Sequence, residues 1–450
     1  MRRRDFLGSS AGLVGAALLA GCGNGPHEDD VAIVGGGLAG LTAAYRLQQR
    51  GIVATVYEGS ARLGGRVRTD RTSFLEGQHA ELGGERIDSG HTNILALCKE
   101  LGVEVVENAT SGVDLYVEGG VRLTPAEAQA ELAPIHAALE AARASSAALD
   151  GLSLSAWLDS ISASGAGRTL FEVAATAKYG LDPGVLGVSN LLLRPLSDAR
   201  HRIASGSDAL VAKLAAALLP GRVVLRHRLL AVAPRIDGRV RLTFDAAGSA
   251  VDVVARRVVL ALPFSTLRKC ALSVELAAPM RQAIAELGYG TGNKVAYGFF
   301  SRFWADAGDS GTTITDLGWQ TTRDAGPSQA GSSGILVNEV GGQRGIDSAS
   351  NDRTSELSTF VTQLEGVLPG AVAQSSGVAV TAAWPMAPFS LGSASAFLPG
   401  QATALGPALG AQAGDVYFCG EHTAGAAQGT MEGAVTSGTS VAMLLPVAGA

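Results

Sequence analysis

The sequence has few cysteines, no clustered basic stripe and, after its first residues, no apolar run long enough to span a membrane. Only four of its 450 residues are cysteine. Cys98, Cys270 and Cys419 are too scattered for a disulfide framework, and their spacing fits no metal site. The net charge is −6, and together with the lack of a basic stripe this argues against nucleic acid as a partner. The 47% of apolar residues and the lack of an internal repeat predict a globular protein with a large hydrophobic core.

The first residues resemble an export signal. A basic start at 2–4 is followed at 7–20 by an apolar stretch, which is shorter than the roughly 20 residues of a spanning helix. We therefore expect a removable signal over residues 1–21. RRDFL, at 3–7, resembles the twin-arginine signal, a receptor-read address for proteins that are exported folded, with their cofactor bound.

The signal ends in LAGC, which resembles the box at which bacterial lipoproteins are cut and lipidated. This resemblance predicts lipidation of Cys22, and two or more acyl chains anchor a protein stably. The residue after this cysteine is Gly23 and not Asp, which in such lipoproteins favours location in the outer membrane. We expect a protein anchored on the periplasmic side of a membrane. A plain signal with a chance cysteine is the alternative.

The mature chain opens with a dinucleotide-binding pattern. A buried strand at 31–34 leads into Gly35-x-Gly37-x-x-Gly40 and a helix, and Glu58 ends the next strand. The glycines permit a tight turn and the approach of a pyrophosphate to the helix N-terminus, and the acid accepts hydrogen bonds from a ribose. The pattern predicts a bound dinucleotide but leaves both NAD and FAD open.

Three longer stretches carry a resemblance that decides for FAD. They are EGSARLGGRVRT at 58–69, AELGGERIDSGHTNILAL at 80–97 and VYFCGEHTAGAAQGTMEGAVTSG at 416–438. Together they resemble the flavin-containing amine oxidase family, which includes monoamine oxidases, polyamine oxidases and L-amino-acid oxidases. The resemblance covers nearly the whole mature chain.

The resemblance implies an α/β fold with two domains, a Rossmann-like FAD domain and a substrate domain of helices and a sheet. We expect a linker at 22–30, an FAD-binding domain at 31–89, 200–285 and 395–450, and a substrate domain at 90–199 and 286–394.

The resemblance also implies which residues hold FAD. These residues are expected to contact the pyrophosphate, the ribose, the ribityl chain and the flavin ring of FAD. They are Gly35, Gly37, Gly40, Glu58, Gly64, Gly65, Arg66, Gly83, Gly84, Glu85, Leu229, Trp384, Gly420, Glu421, Gly429, Thr430 and Met431. Ser60 stands where many relatives carry Arg. Ser393 stands where a covalent flavin cysteine would lie, which predicts non-covalent FAD.

The predicted catalytic residue is Lys294, which matches the family lysine that holds a water near flavin N5. Trp384 matches the family tryptophan beside the flavin. Monoamine oxidases flank the substrate amine with two aromatic rings, but the corresponding positions here are Ala394 and Thr430. Arg86 stands where L-amino-acid oxidases carry an arginine that pairs with the substrate carboxylate. Its alternative is an ion pair with a nearby acid such as Glu85 or Asp88.

The resemblance therefore predicts an FAD-dependent oxidase of amines or amino acids. The substrate α-carbon gives a hydride to flavin N5, the imine hydrolyses, and O₂ becomes H₂O₂. Three alternatives stay open: an L-amino-acid oxidase that uses Arg86, a dehydrogenase or desaturase with another electron acceptor, and a flavin-binding protein without turnover.

Overall fold

The computed structural model describes residues 27–108, 111–194 and 199–446. The predicted export signal and Cys22 lie outside these residues, so both stay predictions. Nineteen strands form in the described part: β1 (His27–Val34), β2 (Ala54–Tyr57), β3 (Thr69–Asp70), β4 (Ala80–Glu81), β5 (Val105–Glu107), β6 (Val113–Glu118), β7 (Val121–Leu123), β8 (His201–Ile203), β9 (Val223–Val224), β10 (His227–Pro234), β11 (Val240–Ala246), β12 (Ser249–Leu260), β13 (Ala271–Leu272), β14 (Asn293–Phe299), β15 (Asp309–Thr315), β16 (Thr321–Asp324), β17 (Gly334–Val340), β18 (Ser375–Thr381) and β19 (Val416–Phe418).

Sixteen α-helices form in the same residues: α1 (Leu38–Gln49), α2 (Thr92–Glu100), α3 (Pro125–Ala142), α4 (Ser146–Leu149), α5 (Leu154–Ser160), α6 (Gly165–Tyr179), α7 (Ser189–Leu192), α8 (Asp208–Ala217), α9 (Phe264–Leu267), α10 (Ala278–Glu286), α11 (Phe303–Asp306), α12 (Gly342–Ser350), α13 (Arg353–Glu365), α14 (Ala371–Gln374), α15 (Gln401–Leu405) and α16 (Met431–Leu444). None of the described helices is both long and apolar enough to cross a bilayer.

The larger sheet contains the predicted βαβ opening. Its order is β13-β10-β11-β12-β1-β2-β9, and β19 also pairs with β12. The strands β9, β2, β1, β12 and β19 are parallel. In β1, Val31 and Ile33 pack into one core with α1 and α16, whereas Ala32 and Val34 pack into another with α10. Because both faces are covered, this part of the sheet is a buried parallel sheet.

The predicted linker at 22–30 is wrong over its last residues, because β1 already begins at His27. Residues 27–29 pair in parallel with 253–255 of β12. The carboxylate of Asp29 accepts hydrogen bonds from the hydroxyls of Thr55 at 2.7 Å and Tyr57 at 2.6 Å. A polar strand end is thus held by partners that are distant in the sequence.

The second sheet has seven strands in the order β18-β14-β17-β16-β15-β6-β7. Its apolar face packs on α13, where the rings of Tyr297 and Phe360 stack with centroids 3.9 Å apart. Strand β8 does not join either large sheet; it pairs with β5, across one of the predicted domain boundaries. The loops that follow β1, β2, β12 and β19 meet this second sheet around one cavity.

Candidate active site

One large cavity extends from the carboxyl ends of the parallel strands to the second sheet. Its volume is about 1200 Å³, which exceeds the roughly 300–1,000 Å³ of most small-ligand sites. Within the described residues, every predicted site residue except Gly40 lines it. The cavity therefore brings together residues from both ends of the chain.

The turn between β1 and α1 leaves room for a phosphate. Gly35 has a φ of +112°, and a Cβ at Gly40 would overlap the carbonyl oxygen of Gly35. A Cβ at Gly37, in contrast, would meet no protein atom within 4 Å. Gly37 is also the N-cap of α1, and no side chain caps this helix. Open space beside an uncapped helix N-terminus suits an anionic phosphate.

Glu58 lies at the same end of the cavity, just after β2. Its two carboxylate oxygens accept hydrogen bonds from the backbone N–H groups of Gly36, at 2.8 Å, and Ser60, at 2.7 Å. Carboxylate oxygens have further lone pairs, so a ribose hydroxyl can still donate to them. Leu229 of β10 lines the cavity here and is buried. The hydroxyl of Ser60 donates to the carbonyl of Arg62 at 2.6 Å.

Arg66 and Glu421 form a partly buried ion pair of 2.7 Å in the wall of the cavity. Glu421 also accepts the backbone N–H groups of Ser395, at 3.1 Å, and Gly429, at 2.8 Å. Burial works to raise the pKa of Glu421, but the charge of Arg66 outweighs it and the pKa is about 2. The ionised carboxylate therefore fixes Arg66 and two loops in place.

The glycines after β4 let several segments pack closely. A Cβ at Gly83 would overlap the carbonyl oxygen of Arg66 and lie 3.2 Å from the ring of Trp384. A Cβ at Gly84 would lie 2.9 Å from Cγ of Met431. The indole Nε1 of Trp384 donates to the carbonyl of Leu82 at 2.6 Å. Trp384 thus has a fixed orientation in the cavity wall.

The far end of the cavity holds a buried charge cluster of Glu85, Lys294, Arg323 and Glu339. Lys294 and Glu339 are cross-strand partners in β14 and β17. The ammonium nitrogen of Lys294 lies 2.9 Å from Glu339 and 3.4 Å from Glu85. Arg323 forms ion pairs with both acids. Lys294 is thus held rigidly beside the cavity.

The two acids of the buried charge cluster are ionised. Burial works to raise the pKa of Glu85, but Arg323 and then Lys294 hold it below its usual value. The pKa of Glu339 is held well below its usual value against the same burial, by Arg323, Arg86 and Lys294. Nearby Glu81 differs: burial, and then the charge of Glu85, raise its pKa to about 8. Glu81 is therefore mostly protonated at neutral pH.

Arg86 pairs with an acid, but not with either of those predicted. Its guanidinium lies 3.0 Å from Glu339, which stands near the end of β17. Asp88 pairs with His91 at 3.5 Å. The side chain of Arg86 is 39% exposed and lines the cavity, so its remaining donors are accessible from there.

The positions of the two missing aromatic rings also line the cavity. Ala394 presents only a methyl group to the cavity. The hydroxyl of Thr430 caps α16, because it accepts the N–H of Gly433 at 3.0 Å. The same hydroxyl donates to the carbonyl of Ala427 at 2.6 Å. The hydroxyl of Ser393 donates to the carbonyl of Gly290 at 3.1 Å.

Several residues of the site were not predicted from the sequence. Glu339 had a readable signal, since it is a lone acid in the apolar strand GILVNEV, just as Lys294 is a lone base in its strand. Arg323 pairs with two acids from distant segments, and nothing local points to it. The same is true of Lys178 and Arg194, which line the cavity from α6 and from the residues after α7.

The family model for flavin containing amine oxidoreductases matches residues 38–445. The chain belongs to this family. It is 27% identical to the putative flavin-containing monoamine oxidase AofH of Mycobacterium tuberculosis, over 93% of this chain and 97% of the relative. It is also 27% identical to the putative L-amino-acid oxidase YobN of Bacillus subtilis, over 92% and 94%.

Solved structures show the same fold. Cyclohexylamine oxidase from Brevibacterium oxydans superposes with a TM-score of 0.81 at 22% identity, over 92% of this chain and 98% of that one. The predicted α/β fold with two domains is therefore confirmed. By family membership the protein is an FAD-dependent oxidoreductase, as predicted.

The residues present fit FAD. The open space at Gly37 has room for a phosphate, and Glu58 lies where the next strand ends, as a dinucleotide ribose requires. The cavity then continues past Arg66 to Trp384 and Lys294, which gives an extended ligand room along its whole length. Within the described residues, no group of three or more His, Cys, Asp or Glu side chains is placed to hold a metal ion.

Proposed function

We propose that the protein oxidises an amine or an amino acid with FAD and passes the electrons to O₂. The observation that carries this proposal is the position of Lys294, a half-buried ammonium held by two ionised acids at the end of the cavity opposite Glu58. A lysine in an apolar strand needs such compensation, and the compensated ammonium faces the ligand space.

When bound, FAD would supply the acceptor for a hydride from the substrate α-carbon and would return the two electrons, with two protons, to O₂ as H₂O₂. The protein's own residues orient and protect this chemistry. Lys294 holds a water molecule at the cavity wall. Trp384, fixed by its bond to Leu82, shields the site from bulk water. The N–H groups at the start of α16 stabilise negative charge that develops beside them.

We propose that FAD is held without a covalent bond. Of the described cysteines, Cys270 is the one that lines the cavity, at the end near Leu229. Its thiol donates to the carbonyl of Leu229 at 3.4 Å, and burial raises its pKa to about 11, so it is a poor nucleophile. Acid or heat should release intact FAD; flavin retained by the denatured chain would contradict this.

The function is tested by a screen of neutral amines, polyamines and amino acids with the purified yellow protein. The screen measures O₂ uptake and H₂O₂ formation. We expect at least one of these classes to produce H₂O₂ in proportion to O₂ consumed. Reduction of an artificial dye without H₂O₂ would instead indicate a dehydrogenase with another acceptor.

An L-amino-acid oxidase is a second candidate, because Arg86 still presents part of its guanidinium to the cavity. A forked guanidinium suits a carboxylate. If Arg86 binds the substrate, Arg86→Ala should raise KM strongly for an amino acid and hardly change it for the uncharged amine analogue. Equal loss for both substrates would mean that Arg86 acts only through its ion pair with Glu339.

For its location, we propose export by the twin-arginine route and a lipid anchor on Cys22, on the periplasmic side and in the outer membrane. The support is the sequence of residues 3–7 and 19–23. An enzyme that binds a cytosolic dinucleotide before export needs a route for folded proteins, so the signal and the cofactor agree.

A further inference from the structure

Lys178 differs from the other cations at the far end of the cavity. Lys294 and Arg86 pair with Glu339, and Arg194 donates two hydrogen bonds to protein acceptors. The ammonium of Lys178 lines the same cavity, but within the described residues it has neither a hydrogen bond nor an ion pair. In the part of the chain that the structure describes, no acid lies close enough to form an ion pair with it.

Lys178 and Arg194 lie together against one aromatic ring. The ammonium nitrogen of Lys178 is 5.4 Å from the centroid of Tyr179, and the guanidinium carbon of Arg194 is 4.9 Å from it. Arg194 is held by the side-chain oxygen of Asn190 at 2.7 Å and by the carbonyl of Gln428 at 2.6 Å. We call Lys178 and Arg194 the cationic wall.

Arg194 of the cationic wall lies beside the positions of the missing aromatic rings. A Cβ placed on Gly429 would lie 2.9 Å from Arg194 and 3.8 Å from the Cβ of Ala394. Gly429 precedes Thr430, the second small residue at these positions. Arg194 therefore lies close to Ala394, one of the two cavity-lining positions where the related monoamine oxidases carry a ring.

The charges around Lys178 are unfavourable for a cation. The side chain of Lys178 reaches solvent through the cavity, but the protein packed around its ammonium, and then the charges of Arg86 and Arg194, lower its pKa to about 8, and Asp88 works in the opposite direction. Asp88 is already engaged, since it pairs with His91 and accepts the N–H of Ala199 at 2.9 Å. An anion bound beside Lys178 would relieve this repulsion.

We propose that the cationic wall binds a carboxylate of the substrate, with Lys178 as the residue that selects for it. This inference rests on the proposed function, because it names the substrate class of the same site. Lys178 supplies a mobile point charge and Arg194 a fixed planar one, a pair that suits a carboxylate. Arg86, whose charge Glu339 already offsets, is secondary in this selection.

The test compares two probes of equal size, phenylacetate and its neutral amide. Their binding to the FAD-loaded protein is measured by flavin absorbance and by calorimetry. We expect the wild type to bind phenylacetate at least about tenfold more tightly than the amide. Lys178→Met should abolish this preference without weakening binding of the amide, and Lys178→Arg should keep it. Lys213→Met, at an exposed lysine of α8, is the matched control and should change nothing.

Equal binding of the two probes by the wild type, failure of phenylacetate to bind, or an unchanged preference in Lys178→Met would each overturn the carboxylate site. The proposed function fails separately. If amines are oxidised without any preference for anionic substrates, the function stands and the carboxylate site is wrong. If the preference for phenylacetate is present but no substrate is oxidised, the site stands and the function is wrong.

Discussion

At the scale of single residues, the site works through shared partners. Glu339 accepts from Lys294, Arg323 and Arg86, so no one of these cations has a role that is independent of the others. A lone charged residue in an apolar strand could be recognised from the sequence, as Lys294 was and as Glu339 should have been. The partners of these residues could not, because they come from segments that only the fold brings together.

Lys294→Met keeps the length of the side chain and removes its charge. Arg323 still compensates Glu85 and Glu339, so we expect the variant to fold and to retain FAD. Substrate turnover or flavin reoxidation by O₂ should slow by at least about tenfold, or about 1.4 kcal/mol in the barrier. Rapid mixing measures the two half-reactions separately. Wild-type rates in both would leave Lys294 as a structural residue, and Lys294→Arg shows how much charge alone restores.

The pH dependence of catalysis should report Lys178. Its pKa is lowered to about 8, so its charge is present below that pH and is lost as the pH rises through it. For an anionic substrate, kcat/KM should therefore fall above about pH 8, whereas the uncharged analogue should show no such step. In Lys178→Arg the step should disappear, because arginine stays charged throughout this range. The same step in both substrates would assign it to another group.

At the scale of elements, the β1–α1 turn separates folding from cofactor binding. A methyl group at Gly37 meets no protein atom, whereas one at Gly40 overlaps the carbonyl of Gly35. Gly37→Ala should therefore unfold at the wild-type temperature without FAD, yet bind FAD at least about tenfold more weakly. Gly40→Ala should be destabilised even without FAD, by about 1–3 kcal/mol or more. Thermal unfolding of the apoproteins and FAD titrations check both, and an unstable Gly37→Ala apoprotein would contradict this separation.

Elements that depend on local sequence were predictable, and those that depend on distant pairing were not. The glycine pattern and the apolar run at 31–34 predicted β1 and α1. The start of β1 at His27 was missed because its polar residues pair with β12, more than 200 positions away. For the same reason nothing in the sequence indicated that β8 pairs with β5.

At the scale of the whole molecule, export and anchoring should be separable by two variants. Arg3→Lys with Arg4→Lys should leave FAD-loaded protein in the cytosol if the twin-arginine signal is read. Cys22→Ala should free the protein from the membrane fraction while its activity persists. Cell fractionation with an activity assay measures both. Undiminished export in the first variant, or membrane retention in the second, would contradict the signal or the lipid anchor.

The whole molecule was recognisable from spaced motifs, but the chemistry of its substrate end was not. The motifs at 35–40, 58–69, 80–97 and 416–438 all reach the one cavity. Lys178 comes from α6 and Arg194 from the residues after α7, and neither segment has a sequence pattern specific to a ligand. Only the fold shows that both line the cavity and that Arg194 lies beside Gly429.

The most direct test of the function is an anaerobic titration of the purified flavoprotein with amines and amino acids, followed by the admission of O₂. The absorbance of oxidised flavin should bleach in proportion to the substrate added, recover when O₂ enters, and yield one H₂O₂ for each flavin reoxidised. A flavin that no amine or amino acid bleaches, in a folded protein with FAD bound, would contradict this function.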